Sequence, residues 1–257
     1  MTMDRRRLWK IENHAKSVFR YRMRPVFNQA LESQIQPLYV KIMETSDIRD
    51  IEVPPLDNQP IQDAYQRLYL TVAVPFAMRK RRQWKKSQKA DDDDIFEDLI
   101  TREALIYLEK HAGMTITAVG DTSKELIRQL LTELTPEILD SGMGGGQAQT
   151  MLRDRIQSAW HEMKYYRTER IVRTEVNRAA NWGSLEGTKS LGVEMNKVWM
   201  SAFVKDSRDP HKAADGQKVD LYDDFEIGGE HLQYPGDPKG SAWNTINCLC
   251  GIYQELK

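Results

Sequence analysis

The stretch that decides the fold reads Asp206-Ser-Arg-Asp-Pro-His211-Lys-Ala-Ala-Asp215-Gly216-Gln-Lys-Val219, and Asn247-Cys248-Leu-Cys250 completes it further along the chain. Glycines and prolines are dense around these motifs, and short apolar runs stand between them. Runs of about four to eight residues bounded by such turn signals are typical of strands. The sequence therefore predicts a small β-containing unit, with strands over 197–204, 218–222 and 245–252.

The part of the chain before this unit carries apolar residues at helical spacing, beginning with Leu8 and Ile11. Recurrence of apolar residues on one face predicts amphipathic helices. Pro25 and Pro37 are expected to kink or break the first of these helices. The predicted fold class is α+β and mainly α, with a long N-terminal helical region followed by the small β-containing C-terminal unit. A single domain boundary is placed between residues 114 and 115.

Several signals predict where the later helices begin and end. The run Asp91–Asp94 suits a helix start, where carboxylates oppose the positive end of the helix dipole, although four aspartates also resemble a cation site. Thr122-Ser-Lys-Glu125 matches a capping box and predicts a new start, and Thr135-Pro136 repeats the signal. Ser141–Gly146 reads as a flexible connector, and the helix after it is expected to break near His161.

One helical segment carries a narrow stripe of small residues that predicts close approach by another element. Its members are Val172, Val176, Ala179, Gly183 and Gly187.

The composition excludes some classes of protein. The chain has 257 residues, of which 29% are charged and 40% hydrophobic, and its net charge is −1. These values fit neither a membrane protein nor a disordered chain. The apolar run Leu68–Met78 is too short to span a bilayer, and no apolar segment follows the N-terminal arginines as a signal peptide requires.

The two cysteines do not form a disulfide framework, so a reducing compartment is expected.

A basic segment from Arg79 to Lys89 includes a tryptophan. Cations next to an aromatic ring suit a nucleic-acid backbone, whereas the alternative is a solvated helix end or pairing with the aspartates that follow. The candidate nucleic-acid contacts are Arg79, Lys80, Arg81, Arg82, Trp84, Lys85, Lys86 and Lys89.

The two cysteines lie on one face if the segment around them is a strand. Cys248 and Cys250 then read as small buried hydrophobic residues, and a disulfide between them is not expected because it would be strained. The alternative is a zinc site in which His211 and His231 complete a Cys2His2 set.

His211 and Asp215 stand four residues apart and could form an acid–base pair across a turn. Arg208 or Lys212 would then supply the cation for a phosphate group. In the alternative, Asp215-Gly216 forms a tight turn and His211 binds the local backbone. The sequence contains no Ser-His-Asp elbow and no dinucleotide-binding fingerprint.

Taken in order, these motifs resemble the head-morphogenesis (minor head protein) family of tailed phages, named for protein F of phage Mu. The resemblance covers residues 115–252, and Leu249 stands where the family usually has an arginine. The matching positions are Arg173, Thr174, Glu175, Trp199, Asp206, Arg208, His211, Asp215, Gly216, Tyr234, Pro235, Asn247, Cys248 and Cys250.

The resemblance implies a structural protein of the virion, without enzymatic activity or a cofactor. Residues 1–114 would contact the portal or the capsid interior, and residues 115–257 would form the family's domain. The implied partners are the portal protein, capsid and scaffold proteins and packaged double-stranded DNA, but no membrane. The implied location is inside the capsid at the portal vertex, after assembly in the host cytoplasm. Two alternatives stay open: a nuclease- or transferase-like enzyme centred on His211 and Asp215, and a metal-stabilised nucleic-acid-binding module.

Overall fold

The structure, a computed structural model, describes residues 4–84 and 91–257. It confirms the fold class, because long helices occupy the N-terminal part and short strands follow them. The helices are α1 (Arg5–Glu44), α2 (Gln59–Trp84), α3 (Asp91–Asp140), α4 (Gly145–Lys189), α5 (Asp209–Ala213) and α6 (Ala242–Thr245), with a 3-10 turn at Ile48–Asp50. The strands are β1 (Met195–Met200), β2 (Lys218–Asp220), β3 (Phe225–Ile227), β4 (Glu230–Leu232) and β5 (Gly251–Leu256).

The strands form two small antiparallel sheets. In the first, β1 lies between β2 and β5, and its central pairing sets Lys197 opposite Gln254. In the second, β3 and β4 form a hairpin. Gly228 and Gly229 join these two strands with φ values of 60° and 83°, a left-handed conformation that favours glycine. The two glycines therefore form the turn of the hairpin.

The chain divides into two compact units that alternate along the sequence. The site unit comprises Met1–Met23, Gln66–His111 and Arg170–Lys257, and the helical unit comprises Arg24–Tyr65 and Ala112–Glu169. The sequence-based division, by contrast, places one boundary between residues 114 and 115.

The helical unit is built on a contiguous apolar core together with a small buried polar network. The hydroxyl of Ser123 donates to Gln34 Oε1 over 2.6 Å, and Arg167 donates to Ser123 Oγ over 2.9 Å. The core of this unit includes Ile35, Leu38, Ile42, Ile127, Ile138, Leu152, Ile156 and Trp160.

In the site unit, α2 and α4 approach each other at glycines. A Cβ atom on Gly183 would lie 2.2 Å from the carbonyl oxygen of Ala73, and one on Gly187 would lie 2.2 Å from that of Ala77. No side chain larger than hydrogen fits at either position without movement of the backbone. The predicted close approach at the small-residue stripe is confirmed.

The first helix was expected to kink or break at Pro25 and Pro37. In the structure α1 runs through both prolines without interruption. Each proline removes a backbone hydrogen bond, but Phe27, Ile35 and Leu38 beside them are fully buried. Burial of side chains on this scale contributes about 1.5–3 kcal/mol each, which offsets the loss.

Other predicted helix boundaries were partly wrong. Thr122–Glu125 and Thr135-Pro136 lie inside α3, where the hydroxyl of Thr122 donates to the carbonyl of Ala118 instead of capping a helix. The break near His161 is absent, because α4 is continuous from Gly145 to Lys189. The start of α3 at Asp91 and the connector before α4 agree with the sequence.

The strand predicted over 245–252 is also wrong. α6 ends at Thr245, an irregular segment follows, and β5 begins only at Gly251. Asn247 adopts a left-handed φ of 58°, which is incompatible with a strand. Among the described residues, no helix is long and apolar enough to cross a membrane.

Candidate functional site

Three side chains with metal-binding chemistry meet inside the site unit. His211 Nδ1 lies 3.4 Å from the sulfur of Cys250 and 3.7 Å from that of Cys248. The ligand atoms of all three residues lie within 4.8 Å of one another. None of the three residues is more than 2% exposed, and neither cysteine is in a disulfide. We call these residues the Cys-His cluster.

Local backbone geometry brings the two sulfurs together. The left-handed conformation of Asn247 turns the chain, and its N–H donates to the hydroxyl oxygen of Thr174 on α4 over 2.9 Å. The N–H of Ala202, just after β1, donates to the sulfur of Cys250 over 3.4 Å. The segment between α6 and β5 is therefore held from two sides.

The imidazole of His211 has a defined orientation. Its Nε2 lies 3.1 Å from Asn244 Oδ1, and the amide nitrogen of Asn244 donates to the carbonyl of Ile227 over 3.2 Å. Since Asn244 presents its oxygen to the ring, Nε2 carries the proton and Nδ1 keeps its lone pair. That lone pair points at the two sulfurs. Trp199 packs edge-on against the ring at a centroid distance of 5.7 Å.

The first helix also reaches this segment. The indole N–H of Trp9 donates to the carbonyl of Leu249 over 2.9 Å. The ammonium of Lys16 donates to the side-chain oxygens of Asn177 and Asn181 over 2.8 and 2.9 Å and lies 3.5 Å from the carbonyl of Cys250. Burial lowers the pKa of Lys16 to about 8.

The two thiols differ in acidity. A hydrogen bond from the thiol of Cys250 lowers the pKa of Cys248 well below the usual value, although burial acts in the opposite direction. The same hydrogen bond, together with burial, raises the pKa of Cys250. One thiolate is therefore favoured within the Cys-His cluster.

A cavity of about 150 Å³ opens onto the Cys-His cluster. Two guanidinium groups line it, from Arg173 on α4 and Arg208 before α5, and Asp206 adds a carboxylate. Arg208 donates to the carbonyl of Ile246 over 2.6 Å and lies over the ring of Trp243. Arg173 is solvent-exposed. The cavity therefore joins a buried cluster to a surface that carries net positive charge.

The predicted pair of His211 and Asp215 does not form a hydrogen bond. Asp215 accepts from Arg5 Nε over 3.1 Å and from the N–H of Ser201 over 2.9 Å. Gly216 has a φ of 83°, so the tight turn of the alternative interpretation is correct. His211 instead binds Asn244 and the sulfurs.

The predicted Cys2His2 set is only partly assembled. His231 is exposed on β4, where it pairs with Glu226, and it does not belong to the Cys-His cluster. The two sulfurs meet because of the irregular segment, and not because they share the face of a strand.

Other positions of the sequence motif are bonded to further residues of the site unit. Glu175 is paired with Arg178 at 2.8 Å, and the hydroxyls of Tyr234 and Tyr107 lie 2.6 Å apart. The carbonyl of Pro235 accepts from Asn181 over 2.9 Å.

The described side chains of the basic segment bind other groups of the chain. Arg79 and Lys80 pair with Glu12, each over 3.2 Å, and Arg82 pairs with Asp93 over 2.9 Å. Arg81 lies over the ring of Phe96. Trp84 ends α2, and Lys85, Lys86 and Lys89 lie outside the described residues. The candidate nucleic-acid contacts stay a prediction.

No pattern in the sequence pointed to Asn244, Trp9 or Lys16 as supports of the site. Asn244 is a single polar residue within a four-residue helix, and the two α1 residues lie more than two hundred positions from their partners.

Part of this chain is similar in sequence to a known protein. NAD(+)–arginine ADP-ribosyltransferase EFV of Enterococcus faecalis (strain ATCC 700802 / V583) is 33% identical over 106 residues. The match covers 37% of this chain and 22% of that protein, so the chain spans about a fifth of its length. No protein-family model matches the chain, and no solved structure matches it.

These findings correct the identification as a phage minor head protein. No model of that family matches, and the relative is named as an enzyme. The expectation of a virion structural protein without enzymatic activity is overturned by the same match, which favours the transferase-like alternative. The resemblance rested on an ordered set of short motifs, each of which is weak by itself. The portal, capsid and DNA partners and the location in the virion stay predictions that depended on that identification.

Proposed function

We propose that this chain belongs to a transferase-class enzyme whose reaction takes place in the cavity beside His211. The observation that carries the proposal is the pair of guanidinium groups, from Arg173 and Arg208, that line a cavity leading to a buried imidazole and two thiols. The partly similar enterococcal protein is named as a transferase that uses NAD and arginine.

The charges of the cavity suit a phosphate-bearing donor. Arginine binds phosphate oxygens through two parallel N–H groups, and Arg173 and Arg208 together outweigh the negative charge of Asp206. A volume of about 150 Å³ is below the roughly 300–1,000 Å³ of pockets that enclose a whole ligand. The cavity therefore takes one charged group or the reacting end of a dinucleotide, and the rest of the donor lies outside.

The carboxylate of Asp206 gives the cavity a second role. A cationic acceptor such as a guanidinium group would bind beside it, and the carboxylate could take up the proton that the acceptor loses. Arg173 and Arg208 would hold the phosphates of the donor, and the carboxylate would stabilise the positive charge that develops on the donor's ribose as nicotinamide leaves.

The test is nicotinamide release from NAD⁺ in the presence of free arginine. Wild-type protein is compared with Arg173→Gln and with Arg170→Gln, an exposed arginine one turn earlier on α4 that does not line the cavity. Loss of a charged hydrogen bond of about 1.5–3 kcal/mol predicts a rate roughly 10- to 100-fold lower for Arg173→Gln only.

Two results would count against the proposal. Nicotinamide release that is absent from wild type, or equal in all three proteins, excludes transfer at this cavity. Cleavage of a single-stranded oligonucleotide by wild type but not by Arg173→Gln would assign the cavity to a nuclease instead.

A further inference from the structure

We propose that His211, Cys248 and Cys250 bind one zinc ion through the imidazole Nδ1 and the two sulfurs. The inference concerns a metal site and does not depend on the transferase activity proposed above.

The spacing of the three ligand atoms is close to that of a zinc site. A tetrahedral zinc ion with bonds of about 2.3 Å to sulfur and about 2.0 Å to nitrogen separates a nitrogen from a sulfur by roughly 3.6 Å. The two observed nitrogen–sulfur distances are 3.4 and 3.7 Å. The two sulfurs lie within 4.8 Å of each other, against about 3.8 Å in an ideal tetrahedron, so small side-chain movements complete the fit.

The tautomer of His211 also suits a metal ligand. A histidine ligand usually donates its other ring N–H to an oxygen, which fixes the ring and leaves the ligating nitrogen unprotonated. Asn244 performs this role at 3.1 Å, and its own orientation is fixed by its bond to the carbonyl of Ile227. The Nδ1 lone pair is thus prepared for a metal.

The burial of the Cys-His cluster favours a bound cation. Cys248, Cys250 and His211 are almost fully buried, and zinc binding by both sulfurs requires two thiolates, whose charge only a cation can offset in such a place. A divalent ion neutralises both thiolates. The N–H of Ala202 that points at the sulfur of Cys250 stabilises a thiolate further.

Ligand chemistry favours zinc over other metals. Thiolate and imidazole ligands at tetrahedral spacing suit zinc, whereas calcium and magnesium require oxygen ligands. The three ligands line the same cavity as Arg173 and Asp206, and with three protein ligands one coordination position is open to a group from that cavity. An open position of this kind is the arrangement of zinc sites that bind water or substrate.

The experiment measures metal in the intact chain. Protein expressed with zinc supplementation and dialysed against metal-free buffer is analysed for bound metals by mass spectrometry, and about one zinc per chain is expected. Cys248→Ser and Cys250→Ser should lose most of this zinc. His211→Asn should lose it too, although asparagine can still form a hydrogen bond with Asn244. His231→Asn is the matched control, since His231 lies on β4 outside the Cys-His cluster, and it should keep the metal.

A second measurement keeps the test decisive if a variant does not fold. Wild-type protein in which Co²⁺ replaces the metal should show the visible bands of tetrahedral cobalt and near-ultraviolet thiolate absorption. His231→Asn should give the same spectrum. Wild-type protein that stays folded but takes up neither zinc nor Co²⁺, or His211→Asn that keeps a full complement of zinc, would overturn the proposal. Both results are independent of nicotinamide release.

Discussion

Gly183 on α4 lies against Ala73 on α2 so closely that a Cβ atom would stand 2.2 Å from the Ala73 carbonyl oxygen. Because this neighbour is backbone, Gly183→Ala must push the two helices apart. We expect the free energy of unfolding to fall by about 1–3 kcal/mol, the usual range for overpacking. Denaturant titration followed by circular dichroism measures it.

Gly113→Ala is the matched control for that substitution. Gly113 is an exposed residue of α3 with no atom near the added methyl group. Alanine is preferred over glycine in a helix, so the free energy of unfolding should rise by about 0.5–1 kcal/mol. Equal effects of the two substitutions would contradict the close approach of α2 and α4.

The buried pair of Glu175 and Arg178 should show the energetics of an ion pair removed from water. Burial raises the pKa of Glu175, and Arg178 opposes this. Arg178→Met leaves the carboxylate without its cation and removes a 2.7 Å bond to the carbonyl of Gly236, so we expect a loss of about 3–5 kcal/mol in unfolding free energy. Lys212→Met, which breaks an exposed pair with Asp209, should cost less than about 1 kcal/mol.

The double variant Glu175→Leu/Arg178→Met tests the cause of that loss. If the cost of Arg178→Met arises mainly from the unpaired carboxylate, removal of both charges recovers much of the stability. A double variant that is less stable than Arg178→Met would show that the lost packing and backbone contact dominate.

Stability should depend on pH through Lys197. Burial lowers the pKa of this lysine on β1 from 10.5 to about 8, and Lys189 adds to the effect. Below pH 8 the ammonium is charged in the folded and unfolded states, so the full cost of its burial is present. Between about pH 8 and 10.5 the unfolded state holds a proton that the folded state has released, and the free energy of unfolding therefore rises with pH.

The measurement compares unfolding of wild type and Lys197→Met at pH 7.5 and 10. We expect the wild type to gain about 1–3 kcal/mol relative to the variant across this interval. Parallel curves for the two proteins would mean that Lys197 does not titrate in this range.

Asn244 should act on metal affinity through His211. Asn244→Ala removes the oxygen that accepts from Nε2, so zinc should bind roughly 10- to 100-fold more weakly in a competition with a chelator. Ser241→Ala is the control, because Ser241 caps α6 and does not touch the imidazole. It should lower stability by about 1 kcal/mol and leave zinc affinity nearly unchanged.

The sequence patterns predicted which helices exist better than they predicted where each helix begins and ends. Apolar spacing identified the long helices, and the stripe that contains Gly183 and Gly187 identified a helix contact. The capping motif at Thr122 failed because Ser123, next to it, is buried in the polar network with Gln34. The tertiary packing of Ser123 outweighs the capping motif, so α3 continues through Thr122 and does not start there. The signal itself is worth only about 1 kcal/mol.

The candidate site was predictable in its residues but not in its geometry. Cys248, Cys250 and His211 stood out by residue type. Their meeting depends on the left-handed turn at Asn247 and on the orientation of Asn244, neither of which has a sequence signature here. The inclusion of His231 was wrong, because β4 leaves its side chain exposed.

The bonds from α1 to the segment of Leu249 and Cys250 have a consequence for biosynthesis. Trp9 leaves the ribosome 240 residues before Leu249, its partner. At about 5–20 residues per second, roughly 12–50 s pass before the bond can form. During this interval the indole of Trp9 and the ammonium of Lys16 have no access to their final acceptors at Leu249 and Cys250. These two contacts of α1 thus form only late in synthesis, and termination of translation before Leu249 leaves the helix without them.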